Sequence, residues 1–289
     1  MLARGETLAA IQRDGLQLTQ ADSTARATLR ASDDAAALGV QDVVVIAVKA
    51  PTLADAAEAA RPMTGPDTLI VPMLNGVPWW FTDEPLLSVD PGGRIAAALP
   101  NEQIIGCVVH AACSRRASNH IVVAHADRLI LGEPAGGISE RVEALAAVFE
   151  RAGISAEASA NVRRAVWYKL WGNATINPLS ALTRATADQL LADPLLRGWM
   201  LDAMAELAAV GAAIGCPISE SGEDRMAVTA RLGAFKTSML QDVEAGRSIE
   251  LEALLGAPRE IAARAGVPTP QLDRLYAATR LMAENLRLL

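Results

Sequence analysis

At about Ser159 the chain changes texture, and that change limits the possible folds more than any single motif does. Before it, short β-type runs alternate with helical stretches. After Asp42, Val43-Val44-Val45-Ile46-Ala47-Val48 is a continuous apolar run, the pattern of a strand buried on both faces of a parallel sheet. Pro51 then stands where prolines open helices. Thr68–Pro72 reads as a second buried strand that leads into Asn75-Gly76. Glu6–Asp14 reads as a helix, Gly15–Thr19 as a strand and Ala25–Ala31 as its partner. Further strands are expected near Ile104–Ala111, Ile121–Ala124 and Leu129–Leu131, followed by an amphipathic helix over Ser139–Arg151. After Ser159, Ala, Leu, Arg and Glu recur at helical spacing and strand signals stop. Breaks at Asn177-Pro178, Asp193-Pro194, Gly215-Cys216-Pro217, Gly246 and Gly266-Val267-Pro268 divide the remainder into several helices. The expected fold is α/β: a doubly wound parallel sheet over residues 1–158, then an all-helical domain over 159–289.

Length agrees with that division, since 289 residues make two domains the default. A net charge of −7 speaks against a nucleic-acid partner, which needs a clustered basic surface. The start, Met1-Leu2-Ala3-Arg4-Gly5, lacks the apolar stretch of a signal peptide. The apolar runs are far shorter than the roughly 20 residues of a membrane span. Three cysteines do not make a disulfide framework. A soluble, reduced, cytoplasmic protein is therefore expected. Cys107, His110, Cys113, His120 and His125 crowd together, but in an extended strand Cys107 and Cys113 face one side and His110 the other. Such a set does not converge on a tetrahedral metal, and none is expected. Trp79-Trp80-Phe81 reads as a loop packed on a sheet edge.

Only three basic residues are lysine (Lys49, Lys169 and Lys236), in a chain that otherwise uses arginine. A lysine kept in that setting marks a place where a releasable proton has a use, because arginine cannot give one up near neutral pH. Lys169, Asn173 and Asn177 follow at i, i+4 and i+8, one polar stripe on a helix whose other residues include Trp167, Leu170, Trp171, Ala174 and Ile176. Burying an ammonium and two amides requires partners or a ligand. A solvated interdomain face is the plainer alternative. Downstream, Lys236 to Glu252 reads as a helix end, a turn at Gly246-Arg247 and a new helix capped by Ser248. Glu250 then falls in the first turn, where the helix dipole favours a carboxylate.

These two segments together resemble the signatures of the ketopantoate reductase (2-dehydropantoate 2-reductase) family: a Lys-x3-Asn-x3-Asn-Pro-Leu helix, and Ser-Met-Leu-Gln-Asp followed by Gly-Arg-x-x-Glu. Arg4-Gly5-Glu6, Val48-Lys49-Ala50, Leu74-Asn75-Gly76 and Gly106–Ala112 resemble that family's cofactor-side segments. The resemblance implies a Rossmann-like first domain, a helical second domain like that of 6-phosphogluconate dehydrogenase, and reduction of a 2-oxo acid with NADPH. Lys169 would be the general acid, oriented by Glu250. Asn75, Asn173, Asn177 and Ser238 would bind substrate. Arg4, Lys49, Asn75, Ala112 and Glu250 would bind the cofactor, Arg4 at the 2′-phosphate. A small 2-oxo acid is the implied partner, with a homodimer compatible and neither nucleic acid nor membrane expected. One family element is not in the sequence: the Gly-x-Gly-x-x-Gly turn after the first strand. The first strand-turn-helix unit is thus expected to be missing, through a misassigned start, a shortening or a natural loss. Two other readings follow, a reductase of a different 2-oxo acid and a non-catalytic fragment that has lost its nucleotide site.

Overall fold

The computed structural model describes residues 1–289, which divide into two compact units. The first comprises residues 1–48, 54–73 and 95–162, and the second comprises 49–53, 74–94 and 163–289. Two short segments that precede Ser159 in the sequence, around Lys49 and Asn75, therefore belong to the helical unit.

In the first unit, α1 (Gly5–Asp14) leads into the antiparallel pair β1 (Leu16–Gln20) and β2 (Ser23–Ala27). Next come α2 (Ala35–Leu38), β3 (Val43–Ile46), α3 (Leu53–Ala60), β4 (Leu69–Pro72) and α4 (Arg94–Ala98). A long hairpin of β5 (Gly106–Ala117) and β6 (His120–Gly132) follows, then α5 (Glu140–Arg151) and β7 (Ala156–Ala158). Pro51 sits in a 3-10 turn that runs into α3. Strands β3 and β4 pair in parallel, and bridges at Ile70–Ile104 and Met73–Cys107 join β4 to the start of β5. The other sheet runs β2-β1-β6-β5, with β7 beside β6.

The fold class is the expected one, but the sheet is mixed where parallel pairing was expected. The two short strands expected at Ile121–Ala124 and Leu129–Leu131 are one strand, β6, because an antiparallel partner in β5 carries the ladder through the polar residues between them. Register shifts at His110/Ala111 and Ala112/Cys113 absorb the mismatch and turn the hairpin. Buried Asn119 at its tip donates to the Gly15 carbonyl at 2.8 Å, which fixes the hairpin to the α1–β1 link. Apolar side chains of β4–β6 and one face of α5 form the core here, with Val71, Ile105, Leu131, Val142 and Leu145 at its centre. Strand β3 departs from expectation: Val44 and Ile46 are buried, but Val45 is 45% exposed, so only one face is covered.

The second unit is helical: α6 (Val162–Thr183), α7 (Ala187–Ala192), α8 (Pro194–Ala213), α9 (Gly222–Ala230), α10 (Ser238–Glu244), a π-helical turn (Glu252–Gly256), α11 (Ala257–Ala265) and α12 (Pro270–Leu286). Asp193 caps α8, with Pro194 at its first position, at one of the breaks expected from the sequence. The break expected at Asn177-Pro178 does not occur. Helix α6 runs straight through Pro178, because Ala174, Leu179 and Ala181 on either side are all buried and their packing outweighs one lost backbone bond. Trp79-Trp80-Phe81 is buried within this unit rather than on a sheet edge, and Phe81 stacks on Trp167 at 5.8 Å. No helix is long and apolar enough to cross a membrane.

Candidate active site

Helix α6 is oriented by its two tryptophans. Trp167 Nε1 donates to the Leu207 carbonyl at 3.0 Å, and Trp171 Nε1 donates to the Met204 carbonyl at 2.8 Å, both on α8. Gly211 makes room for the first contact, since a Cβ there would lie 2.5 Å from Trp167 Nε1. At 100° per residue, Trp167 and Trp171 occupy the side of α6 opposite Lys169. The buried indoles therefore set the rotation of the helix and with it the direction of the polar stripe. Truncating either would cost about 3–5 kcal/mol.

On that stripe Lys169 Nζ donates to Asn75 Oδ1 at 2.8 Å, and Asn75 Nδ2 donates in turn to Glu250 Oε2 at 3.3 Å. One amide thus connects an ammonium to a buried carboxyl. Burial pushes the Glu250 carboxyl above the usual carboxylate range, while the Asn75 hydrogen bond and the Lys49 charge pull it part of the way back. Two turns later along α6, Asn177 Nδ2 donates to Ser238 Oγ at 3.4 Å. Asn173 lies between these two pairs and lines a cavity of about 170 Å³ together with Asn177.

Asn75 is held by backbone rather than by its own packing. Gly76 has φ +77°, and a Cβ there would meet the Ala253 carbonyl oxygen at 2.4 Å. Val77 N donates to that same oxygen at 2.8 Å. Only glycine permits this approach. Ala253 belongs to the π-helical turn, whose wide coil has two local causes. Pro258 would press on the Leu254 carbonyl in a regular helix, and Gly256 leaves space for the Glu252 carboxyl, which accepts from Tyr276 Oη at 2.9 Å. The helix begins at Leu251, so Glu250 precedes it instead of sitting in its first turn, and Ser248 is too far out to be its cap. Glu250 itself takes the N-cap place, its carbonyl accepting from Leu254 N at 3.1 Å.

Sequence reasoning passed over Asp242. Its side chain is 3% exposed and is held between Lys49 Nζ and Arg247 Nε, the latter at 2.9 Å. Its signal was present: Asp242 follows Ser238 by four residues in α10 and so shares its face. Lys49, Asn75, Lys169, Asn173, Asn177, Ser238 and Glu250 all fall in the second unit. Arg4 and Ala112 fall in the first, Arg4 exposed at the N-cap of α1 and Ala112 exposed in β5. No cluster of His, Cys, Asp and Glu is arranged for a metal ion.

Residues 1–136 match the family model "Ketopantoate reductase PanE/ApbA", and residues 161–283 match its C-terminal companion. The chain belongs to the ketopantoate reductase family. Members of this family are oxidoreductases that use a nicotinamide cofactor. A 2-dehydropantoate 2-reductase of Mesorhizobium japonicum is 38% identical over 98% of this chain and 89% of its own length. A Ralstonia solanacearum MolK2 protein assigned as a ketopantoate reductase superposes with TM-score 0.96 and 51% identity, covering 100% of this chain and 91% of the other. The 2-dehydropantoate 2-reductase of Methylococcus capsulatus gives TM-score 0.85 and 32% identity over 97% of this chain and 88% of its own.

Proposed function

We propose that this chain reduces 2-dehydropantoate to pantoate, with Lys169 as the proton donor and NADPH as the reductant. The observation that carries the reading is the Lys169–Asn75–Glu250 chain of hydrogen bonds beside the two stripe asparagines. NADPH, when bound, supplies the hydride to C2. As negative charge grows on the C2 oxygen, the Lys169 ammonium stabilises it and then gives it the proton. Asn75 holds that ammonium on target, and Glu250 holds Asn75. The Asn173 and Asn177 amides bind the carbonyl and hydroxyl region of the substrate, and Ser238 binds its carboxylate end.

In this reading residues 1–158 hold the nucleotide and residues 159–289 hold the substrate. The residues present suit the cofactor's charge: Arg4 places an exposed guanidinium at the N-terminus of α1, and both features favour a phosphate monoester. Ala112 and Lys49 would line the nicotinamide end, with Glu250 and Asn75 on the cofactor side. Cytoplasmic location and assembly as a homodimer belong to the same proposal.

The test is NADPH oxidation with 2-dehydropantoate, pyruvate and 2-oxoisovalerate, on this chain and on one extended upstream. The expected result is a kcat/KM for 2-dehydropantoate about 100-fold above pyruvate. Equal or reversed ratios would move the assignment to another 2-oxo acid. Calorimetry that detects no NADPH binding to either chain would indicate a non-catalytic protein.

A further inference from the structure

The cavity beside Asn173 and Asn177 has a second polar feature that the proposed reaction does not use. Along α6, Gly172, Ile176, Lys169, Asn173 and Asn177 fall within an arc of about 140°, so the cavity continues the face that carries the lysine. Its opposite side is apolar, with Met200, Met204, Met226, Leu232 and Phe235. Arg225 enters this setting from α9.

The Arg225 guanidinium is held on two sides. Its Cζ lies over the Tyr168 ring, 5.1 Å from the centroid. It also lies flat against Gly172, where a Cβ would come within 3.1 Å of both Nε and Nη2. No carboxylate is paired with it; the Tyr168 hydroxyl is its hydrogen-bonding neighbour, and its Nε is closed off against Gly172. Other cations around the site are committed: Lys49 and Arg247 to Asp242, and Lys169 to Asn75. A guanidinium that lines a largely apolar cavity with no carboxylate beside it calls for an explanation, and a ligand oxygen in that cavity supplies one. An apolar cavity of about 150 Å³ takes up benzene, so 170 Å³ has room for a branched acyl chain.

We propose that Arg225 is a specificity-determining residue, its guanidinium donating to the C4 oxygen of the 2-oxo acid beside the Asn173 amide while the methionine-lined cavity holds the C3 branch. This rests on the 2-oxo acid reading of the same site. The carboxylate stays with Ser238 on the polar wall, and the branch takes the apolar side. A substrate of the class 4-hydroxy-3,3-dialkyl-2-oxo acid satisfies both.

The test compares 2-dehydropantoate with 3,3-dimethyl-2-oxobutanoate, which differs only by the C4 oxygen. The unaltered protein should prefer the hydroxylated acid by about 100-fold in kcat/KM, because the analogue offers the cavity-side donors of the guanidinium no acceptor. Arg225→Met should bring that ratio to within about threefold, and Arg225→Lys should keep part of it. Gly172→Ala, which crowds the guanidinium without touching its charge, should lower the ratio too while leaving the melting temperature near that of the unaltered protein. Equal losses on both acids in Arg225→Met, or an unchanged ratio, would overturn the role. Should the unaltered protein reduce neither acid, the 2-dehydropantoate reading fails. Calorimetric affinities for pantoate and 2-hydroxy-3,3-dimethylbutanoate then decide Arg225 by the same ratio.

Discussion

The residues brought forward from the sequence divide between two settings that differ in kind. In the helical unit, Lys49, Asn75, Lys169, Asn177, Ser238 and Glu250 each have a protein partner, and the elements beneath them are fixed by buried indoles and a backbone contact no side chain could replace. In the α/β unit, Arg4 and Ala112 are exposed, and Arg4 follows an extended backbone into the start of a surface helix. The first setting is rigid before any ligand arrives, the second adaptable. Preorganised groups affect the chemical step, because their orientation has already been settled by folding. An exposed charge affects mainly affinity, and salt weakens it.

The sharpest way to break this contrast is at Lys169. Lys169→Ala should lower kcat by about 10²–10⁴-fold with an unchanged melting profile. A variant with near-native turnover would remove the proton-donor role. Gly76→Ala comes next. Strain at positive φ together with a 2.4 Å approach to Ala253 should cost about 2–4 kcal/mol in denaturant unfolding, and it should reduce kcat by displacing Asn75. Retained stability would mean that the loop has another low-energy path. Arg4→Ala should be milder. The KM for NADPH should rise about tenfold, with little change for NADH, and the difference should shrink as salt is raised. A loss confined to kcat would place Arg4 in the chemistry instead.

The smallest effect concerns Glu250. Burial raises its carboxyl above the unfolded value, so between those two values the folded chain binds a proton that the unfolded chain has released. Stability therefore falls as pH rises through that window, and the penalty is in full force above it. Glu250→Gln keeps an acceptor for Asn75 but carries no charge. It should melt slightly higher than the unaltered chain near pH 8, with the gain gone by pH 4. A gain that persists at pH 4 would trace to packing and not to charge.

Patterns that depend on local order were legible in the sequence. Helices α1 and α5 with their ends, the parallel pair β3–β4, and the capped start at Asp193-Pro194 all follow from period, caps and proline placement. Features decided by distant partners were not. Pro178 marks a helix end only when no neighbours hold both sides, and the hairpin strand β6 reads as two pieces without its antiparallel partner. The Lys169 stripe was visible because lysine is rare here and the spacing is helical. Arg225 was invisible for the converse reason, being one arginine among many, and only Gly172 and an unpaired Nε single it out. For Asp242 the sequence offered only its place one turn after Ser238, and nothing in that spacing foretells burial between two cations.

The wide turn at Glu252–Gly256 also sets a phase. A π-helical turn holds more residues than an α-turn, so everything after it is rotated relative to a continuous α-helix. Removing one residue between Glu252 and Gly256 would let the coil close to a regular helix and swing Glu250 by about 100° with respect to α11. Asn75 would lose its acceptor, and the Ala253 carbonyl would no longer meet Gly76. In that sense the position of the Lys169 proton is recorded partly as a count of residues in a stretch that contains no catalytic side chain.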